Sequence, residues 1–336
     1  MQIKTFNTQE KVLVIAEIGN NHEGNFQVAQ KLVEQAAECG VGAVKFQTFQ
    51  TKYFVRPNNP KRYQQLSAFE LSPHQFEELQ RLATSLGLLF LSTPLDLESA
   101  KILKNIVDAY KIASGDNNFY PLIESVCQMG KPVIISSGLS DWEQVNKTIT
   151  FVKQQWSPQQ MATQLALLHC VTSYPVLPEN ANLASIRFLA DRLECTVGYS
   201  DHTMGIEAAV LSVALGSRIL EKHFTLDKNY SSFRDHQISA DPSEMKSLVC
   251  RVEQAEKMMG TRDKKIQVVE HDFINSARRA IVAATDLHQG HSLTLKDVTW
   301  LRPADGLPPG QENQILGKCL KKDIPAGETI RLADVH

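Results

Sequence analysis

The chain lacks a long apolar run: none approaches the roughly 20 residues that span a bilayer. The first residues, "MQIKTFNTQEK", lack the apolar stretch of a secretory signal, so a cytoplasmic protein is expected. Strong charge of either sign is missing. The net charge is −2, which excludes a global electrostatic grip on nucleic acid or an anionic membrane. The six cysteines, Cys39, Cys127, Cys170, Cys195, Cys250 and Cys319, form no C-x-x-C pair. A disulfide framework and a zinc knuckle are therefore not expected, and the thiols read as small buried hydrophobes. The composition, 43% hydrophobic and 21% charged over 336 residues, is that of an ordinary soluble protein with room for two domains.

What is present is a series of short apolar runs. They are "VLVIAEIG" (12–19), "VGAVKFQTF" (41–49), "GLLFLSTP" (87–94), "DAYKIASG" (108–115), "PVIISSG" (132–138), "LALLHCV" (165–171), "CTVGYSD" (195–201) and "RILEKHF" (218–224). Each has the length and near-continuous apolarity of a strand buried on both faces. Helical patterns alternate with them. One covers 26–39, with Gly40 as its stop. Another opens at Ser72, with Pro73 in the first turn and Gln75 three positions after the cap. Others fit 97–104, 120–129, 141–155, 182–192, 205–215 and 243–259. Eight strand-then-helix units predict an α/β fold, a (β/α)8 TIM barrel. A doubly wound sheet is the alternative, but "IGNNHEGN" after the first strand is not G-x-G-x-x-G.

Catalytic groups of such barrels sit at the carboxyl ends of the strands. Polar residues gather there: Glu17, Asn20, Asn21 and His22 after the first strand, Lys45 and Gln47 on the second, Thr93 after the third. Lys111 and Ser114 follow the fourth, Ser136 and Ser137 the fifth, His169, Thr172 and Tyr174 the sixth. Ser200, Asp201 and His202 follow the seventh, and Glu221, Lys222 and His223 the eighth. No strand beginning is decorated in this way. His202 and His223 end neighbouring strands about 4.8 Å apart. With Glu17 on the strand that closes the barrel, they suit a divalent cation acting as Lewis acid. Lys45, Lys111, Ser114, Ser136 and Ser200 offer point charge and donors for a phosphate or small polyanion. A Schiff base on Lys45, Lys111 or Lys222 is a second reading. Strand alternation sets Glu221 and His223 on one face and Lys222 on the other, so Lys222 reads as structural and its role stays open.

After residue 260 the pattern changes. A polar stretch leads into two copies of one motif, 37 residues apart: "DLHQGHSLTLKDV" (286–298) and "DIPAGETIRLADV" (323–335). A small, short-stranded domain with pseudo-twofold symmetry is expected.

The stretches "AEIGNNHEG", "VKFQTF", "KIASGD", "SSGL", "YSDHT" and "EKHFTLDK" resemble the sialic acid synthase family. "SARR", "WLRP" and "DIPAGETI" resemble that family's antifreeze-like (SAF) domain, and the resemblance covers roughly 12–336. It implies a barrel over 1–260, a linker over 261–277 and a β-rich SAF domain over 278–336. It implies condensation of phosphoenolpyruvate (PEP) with an open-chain N-acyl amino sugar, giving a nine-carbon 2-keto acid and phosphate by C–O cleavage; another PEP-condensing barrel, making an aldulosonate from a sugar phosphate, is the alternative. It further implies Mn²⁺ or Mg²⁺ on His202 and His223. PEP would lie among Lys45, Thr93, Lys111, Ser114, Ser136 and Ser200; Gln47, Tyr174 and Glu17 would face the sugar or the attacking water. Glu17, Lys45, Glu221 and His223 are the catalytic candidates. The same resemblance implies a homodimer whose SAF domain crosses to the partner's barrel, with Arg302 touching the sugar; docking in cis is the alternative. Two loops depart from the family's pattern. Thr172 stands where an Asn is common, and "NYSSFRDHQISADP" lacks a Gly-Pro-Asp sequence. The acceptor is therefore left open between N-acetylmannosamine and 2,4-diacetamido sugars. The 49–72 segment reads as a lid loop.

Overall fold

Each of the eight apolar runs forms a strand: β1 (Leu13–Gly19), β2 (Ala43–Thr48), β3 (Leu89–Pro94), β4 (Ala109–Ile112), β5 (Val133–Ser136), β6 (Leu165–Cys170), β7 (Thr196–Asp201) and β8 (Ile219–His223). In the computed structural model, which describes residues 1–261 and 263–336, they pair in parallel and in sequence order. The barrel closes where β8 pairs with β1, setting His223 beside Glu17.

Alternate residues face inward, and they stack in layers. Leu13, Ile15, Ala43, Leu89, Leu91, Ala109, Ile134, Ala166, Leu168 and Ile219 form the apolar interior. The next inward position on each strand then lies at the mouth: Glu17, Lys45, Thr93, Lys111, Ser136, Cys170, Ser200 and Glu221, with His223 one step beyond. A polar layer thus rests on an apolar floor. The outward residues, Val14, Ala16, Val44, Phe90, Tyr110 and their neighbours, build the larger core against the surrounding helices.

The helices begin where the sequence caps them. Asn25 accepts from the Val28 amide at the start of Phe26–Glu38, and Ser72 and Gln75 close a reciprocal capping box on Pro73–Ser85. The 49–72 segment is not an open loop. It folds as Thr51–Phe54 and Pro60–Phe69, the latter capped by Asn59 with Pro60 in the first turn. A short hairpin, Gln2–Ile3 with Phe6–Asn7, was not expected; it seals the barrel floor with Met1 and Ile3.

Contacts divide the chain into Met1–Gly260 and Thr261–His336. The stretch between barrel and SAF motifs carries short helical turns, Val268–Phe273 and Ile274–Ala277; Arg262, within the expected linker, lies outside the described residues. In the second unit β9 (Ala280–Ala283) pairs antiparallel with β10 (Val298–Leu301). The two copies of the motif are tied reciprocally. Asp323 accepts from the Gln289 amide at 2.7 Å, and Asp286 accepts from the Ala326 amide at 2.8 Å. Leu287 and Ile324 exchange both backbone hydrogen bonds.

Candidate active site

The mouth of the barrel holds a buried ion cluster. Lys45 Nζ lies 2.7 Å from Glu17 Oε2 and 3.6 Å from Glu221 Oε2, and it donates to Thr93 Oγ1 at 3.1 Å. Lys111 Nζ lies 3.7 Å from Glu221 Oε1. Ser200 donates to Glu221 at 2.9 Å, Gln47 to Glu17 at 3.3 Å, and Asn20 to Gln47 at 2.8 Å. Both lysines and both carboxylates are almost fully enclosed.

That enclosure sets the proton affinities. Burial pushes the Glu17 carboxyl up, against the pull of Lys45. Burial also opposes ionisation of Glu221, but Lys111, Lys45 and the Ser200 hydroxyl outweigh it and hold that carboxyl down. Lys45 is desolvated, yet its two carboxylate partners keep its ammonium above the usual value. Desolvation prevails at Lys111, whose ammonium is pulled down with Glu221 as the main opposing charge.

Beside this cluster stand two imidazoles. The His202 and His223 ring centres are 5.4 Å apart, and the Tyr174 ring lies 4.4 Å from the first and 6.2 Å from the second. His202 Nδ1 donates to the Val171 carbonyl at 2.9 Å, leaving Nε2 free. Burial, with the charge of His202, drives His223 well below the ordinary imidazole value, so its ring is neutral, and its buried Nδ1 has no hydrogen-bond partner. Burial opposes a charge on His202, but Cys170 and the Val171 carbonyl outweigh it and raise its proton affinity, so a divalent cation held by the unpartnered nitrogen of His223 and Nε2 of His202 would displace that proton. Glu17 does not join the pair; Lys45 holds it. Among the described residues no three His, Cys, Asp or Glu side chains converge as a complete ligand set. A cation here would rest on His202 and His223, with oxygens of substrate and water completing its shell.

The remaining wall is built by close approach. A Cβ on Gly138 would stand 2.3 Å from Thr172 Oγ1 and 2.5 Å from Ser114 Oγ, so glycine is what lets the loop after β5 lie against both hydroxyls. The Gly138 amide donates to Ser114 Oγ at 3.1 Å, and Asn117 fixes the same loop through the Ser136 and Gly138 carbonyls. The hydroxyls of Ser136 and Thr172 are buried without partners.

Several strand-end residues serve the scaffold instead. Lys222 points outward and pairs with Asp201 at 2.9 Å, both side chains buried, and it also donates to the Thr203 carbonyl. His169 also faces outward, bonded to the Ala181 carbonyl and stacked on Tyr199. Asn21 holds the Phe224 carbonyl. His22, pushed by burial to about 4, caps its own turn through the Gly24 amide. Conversely, Cys170 is not a core hydrophobe: it faces the mouth, 3.8 Å from His202 Nδ1. Its position two residues beyond Leu168 was the available signal. Arg234, 4.4 Å over the Tyr174 ring, and the buried Asp235 beside it come from a loop with no alternation to reveal them. Arg302 belongs to the second unit and is exposed after β10.

A closed parallel barrel with a polar layer at its carboxyl mouth and an imidazole pair beside it defines a TIM-barrel enzyme equipped for a small polyanion. Residues 32–264 match the NeuB family and residues 278–336 match the SAF domain. The chain belongs to the NeuB family. It is 36% identical to the N,N'-diacetyllegionaminic acid synthase of Legionella pneumophila over 342 residues, 98% of this chain and 96% of that one. It is 33% identical to the pseudaminic acid synthase of Campylobacter jejuni over 350 residues, 99% of each. The crystal structure of the N-acetylneuraminic acid synthetase of Leptospira borgpetersenii superposes with a TM-score of 0.76 at 31% identity. That match covers 82% of this chain and 94% of that one. No helix among the described residues is long and apolar enough to cross a membrane.

Proposed function

We propose that the protein condenses PEP with the open-chain form of an N-acyl hexosamine, N-acetylmannosamine or a 2,4-diacetamido sugar. C3 of PEP bonds to the aldehyde carbon, water adds at C2, and phosphate leaves with C–O cleavage. The product is a nine-carbon 2-keto acid. The observation that carries this reading is the pairing of two buried lysines with two adjoining imidazoles at one barrel mouth.

Lys45 and Lys111 hold the PEP anion, with Thr93, Ser114, Ser136 and Ser200 supplying hydrogen bonds. Glu17, raised by burial beside Lys45 and Gln47, carries a proton in the PEP complex, gives it to the aldehyde oxygen as the C–C bond forms, and then takes one from the attacking water. Glu221 orients Lys111 and Ser200. Gln47, Thr172 and Tyr174 face the sugar. Bound between His202 and His223, Mn²⁺ or Mg²⁺ would supply Lewis-acid polarisation of the aldehyde oxygen. The enclosed mouth limits stray water during the condensation. The six free cysteines accord with a reducing, cytoplasmic setting.

Phosphate release from PEP across a panel of N-acyl hexosamines, with mass spectrometry of the product, tests the reaction and reads the acceptor. Absence of any acceptor-dependent phosphate release would overturn it. Exhaustive chelation should abolish turnover and added Mn²⁺ or Mg²⁺ restore it; full activity of the chelated enzyme would remove the metal from the scheme. The family resemblance also supports a homodimer in which Arg302 of one chain serves the barrel of the other. Arg302→Ala and His223→Ala chains, each nearly inactive, should then regain partial activity as mixed dimers.

A further inference from the structure

The turn after β1 and the loop after β8 meet where the barrel closes, and one carboxylate ties them. Glu23 Oε1 accepts from His236 Nε2 at 3.1 Å and also from the Ser231 hydroxyl. The other ring nitrogen of His236 meets the Thr225 hydroxyl at 2.7 Å, so the imidazole, 1% exposed, is held at both ends. Asn21 fastens the base of the same loop, donating to the Phe224 carbonyl at 2.8 Å and to Ser239 at 3.0 Å. Ser231 in turn accepts from the Phe233 amide at 3.0 Å, which shapes the loop beside the Glu23 bond.

A third element joins at the same point. Gly24 has a φ of +79°, and a Cβ there would stand 1.9 Å from the Ala68 carbonyl oxygen near the end of Pro60–Phe69, so the turn lies directly against that helix. The Phe69 ring meets the Phe233 ring edge-on at 5.3 Å, and Tyr230 and Phe233 flank the His236 ring. Glu23 itself sits in the left-handed region, at φ +47°, a conformation that persists in such a residue when its surroundings hold it. None of these residues has a part in the reaction above. What they hold does reach the mouth: the loop sets Arg234 4.4 Å over the Tyr174 ring, and that ring is 4.4 Å from the His202 ring.

We propose that Glu23 is a positioning residue for the acceptor. It latches the loop after β8 and the 51–69 insertion to the turn after β1, and so holds the Tyr174 side of the mouth in the shape that takes the sugar. That the acceptor is a sugar rests on the PEP-condensing reading. The division of the mouth supports the role. Lys45, Thr93, Lys111, Ser114, Ser136 and Ser200, the groups assigned to PEP, stand on or just after β2, β3, β4, β5 and β7, outside the latched segments. Tyr174, by contrast, is covered by the loop. With the latch undone the loop samples open forms, and an acceptor that binds only the closed form loses apparent affinity in proportion to the closed fraction. PEP does not depend on that fraction.

The test compares the unaltered full-length enzyme with Glu23→Ala, Glu23→Gln and Ser231→Ala, using PEP, Mn²⁺ and the member of the hexosamine panel that turns over fastest. Glu23→Ala should raise KM for the acceptor about tenfold or more, the range of hydrogen bonds to a charged group. KM for PEP and kcat at saturation should stay within about twofold, because saturating acceptor closes the loop again. Glu23→Gln keeps an oxygen for both donors and should recover part of the loss. Ser231→Ala removes one of the two bonds; it should shift the same constant by less, and it carries the comparison should Glu23→Ala lose its fold. Hydrogen exchange reads the latch without turnover: amides of 227–239 should exchange about fivefold faster or more in Glu23→Ala, while the barrel strands keep their protection. Equal rises of KM for both substrates, or faster exchange with an unchanged acceptor KM, overturns the proposal and leaves the condensation standing. Exchange unchanged in Glu23→Ala overturns the latch alone. Failure of every panel member to consume PEP overturns the condensation and this role with it.

Discussion

Lys111 is the charge in the mouth most exposed to pH. Burial lowers its ammonium and Glu221 only partly compensates. A lysine with a depressed value is cationic below it and neutral above it, so PEP binding should weaken on the alkaline side earlier than an ordinary lysine would allow. KM for PEP should rise with pH there, and Lys111→Arg should flatten that rise because a guanidinium stays charged. Lys45→Met or Lys111→Met should raise KM for PEP far more than KM for the acceptor. Lys222 is a different kind of lysine. Lys222→Met strands the Asp201 carboxylate in the core, at a cost of about 3–5 kcal/mol in denaturant unfolding. Adding Asp201→Asn should return part of that stability. The outward aim of Lys222 was legible because alternation along a strand decides it. The Asp201 partner was not, since nothing in a linear sequence says which neighbouring strand's carboxylate an outward lysine meets.

At the level of elements, the strand ends are built by close approach as much as by chemistry. Gly138→Ala would drive a methyl group into the Thr172 and Ser114 hydroxyls. Turnover should fall by an order of magnitude or more, through displaced contacts to PEP, while the melting temperature moves by only a few degrees. A loss of fold instead would make Gly138 structural. All eight strands were legible because each is a short, almost wholly apolar run between turn residues. The hairpin Gln2–Ile3 with Phe6–Asn7 was not, because two-residue strands carry no period. Pro60–Phe69 was overlooked although Asn59 and Pro60 announce its start; a polar helix with only Leu66 and Phe69 buried gives little apolar stripe. Loops are the limit of such reading: Arg234 reaches Tyr174 across 60 positions of sequence.

For the whole molecule, two cores are separately closed. The second unit gathers Ile281, Ala283, Leu287, Leu293, Val298, Ile315, Leu320, Ile324, Ile330 and Val335 without any barrel residue. Nearly every described residue between Gly260 and Arg279 is exposed, including Lys264, Lys265, Arg278 and Arg279. Limited trypsin digestion should therefore cut there first and leave two resistant fragments. Rapid degradation of the smaller one would mean that its core does not sustain it alone.

The polar layer on its apolar floor has a further consequence, visible as heat. Two lysines facing two carboxylates leave the mouth close to electroneutral before substrate arrives. PEP brings about three negative charges near neutral pH. Glu17, already reluctant to ionise, is the group from which that incoming charge is repelled most cheaply by neutralisation. Binding should draw about one proton from solution. Calorimetric titrations with PEP in buffers of differing ionisation enthalpy would then give different apparent heats, and Glu17→Gln should make them converge. Identical heats for the unaltered enzyme would mean that its mouth accommodates the anion without exchanging protons with the buffer.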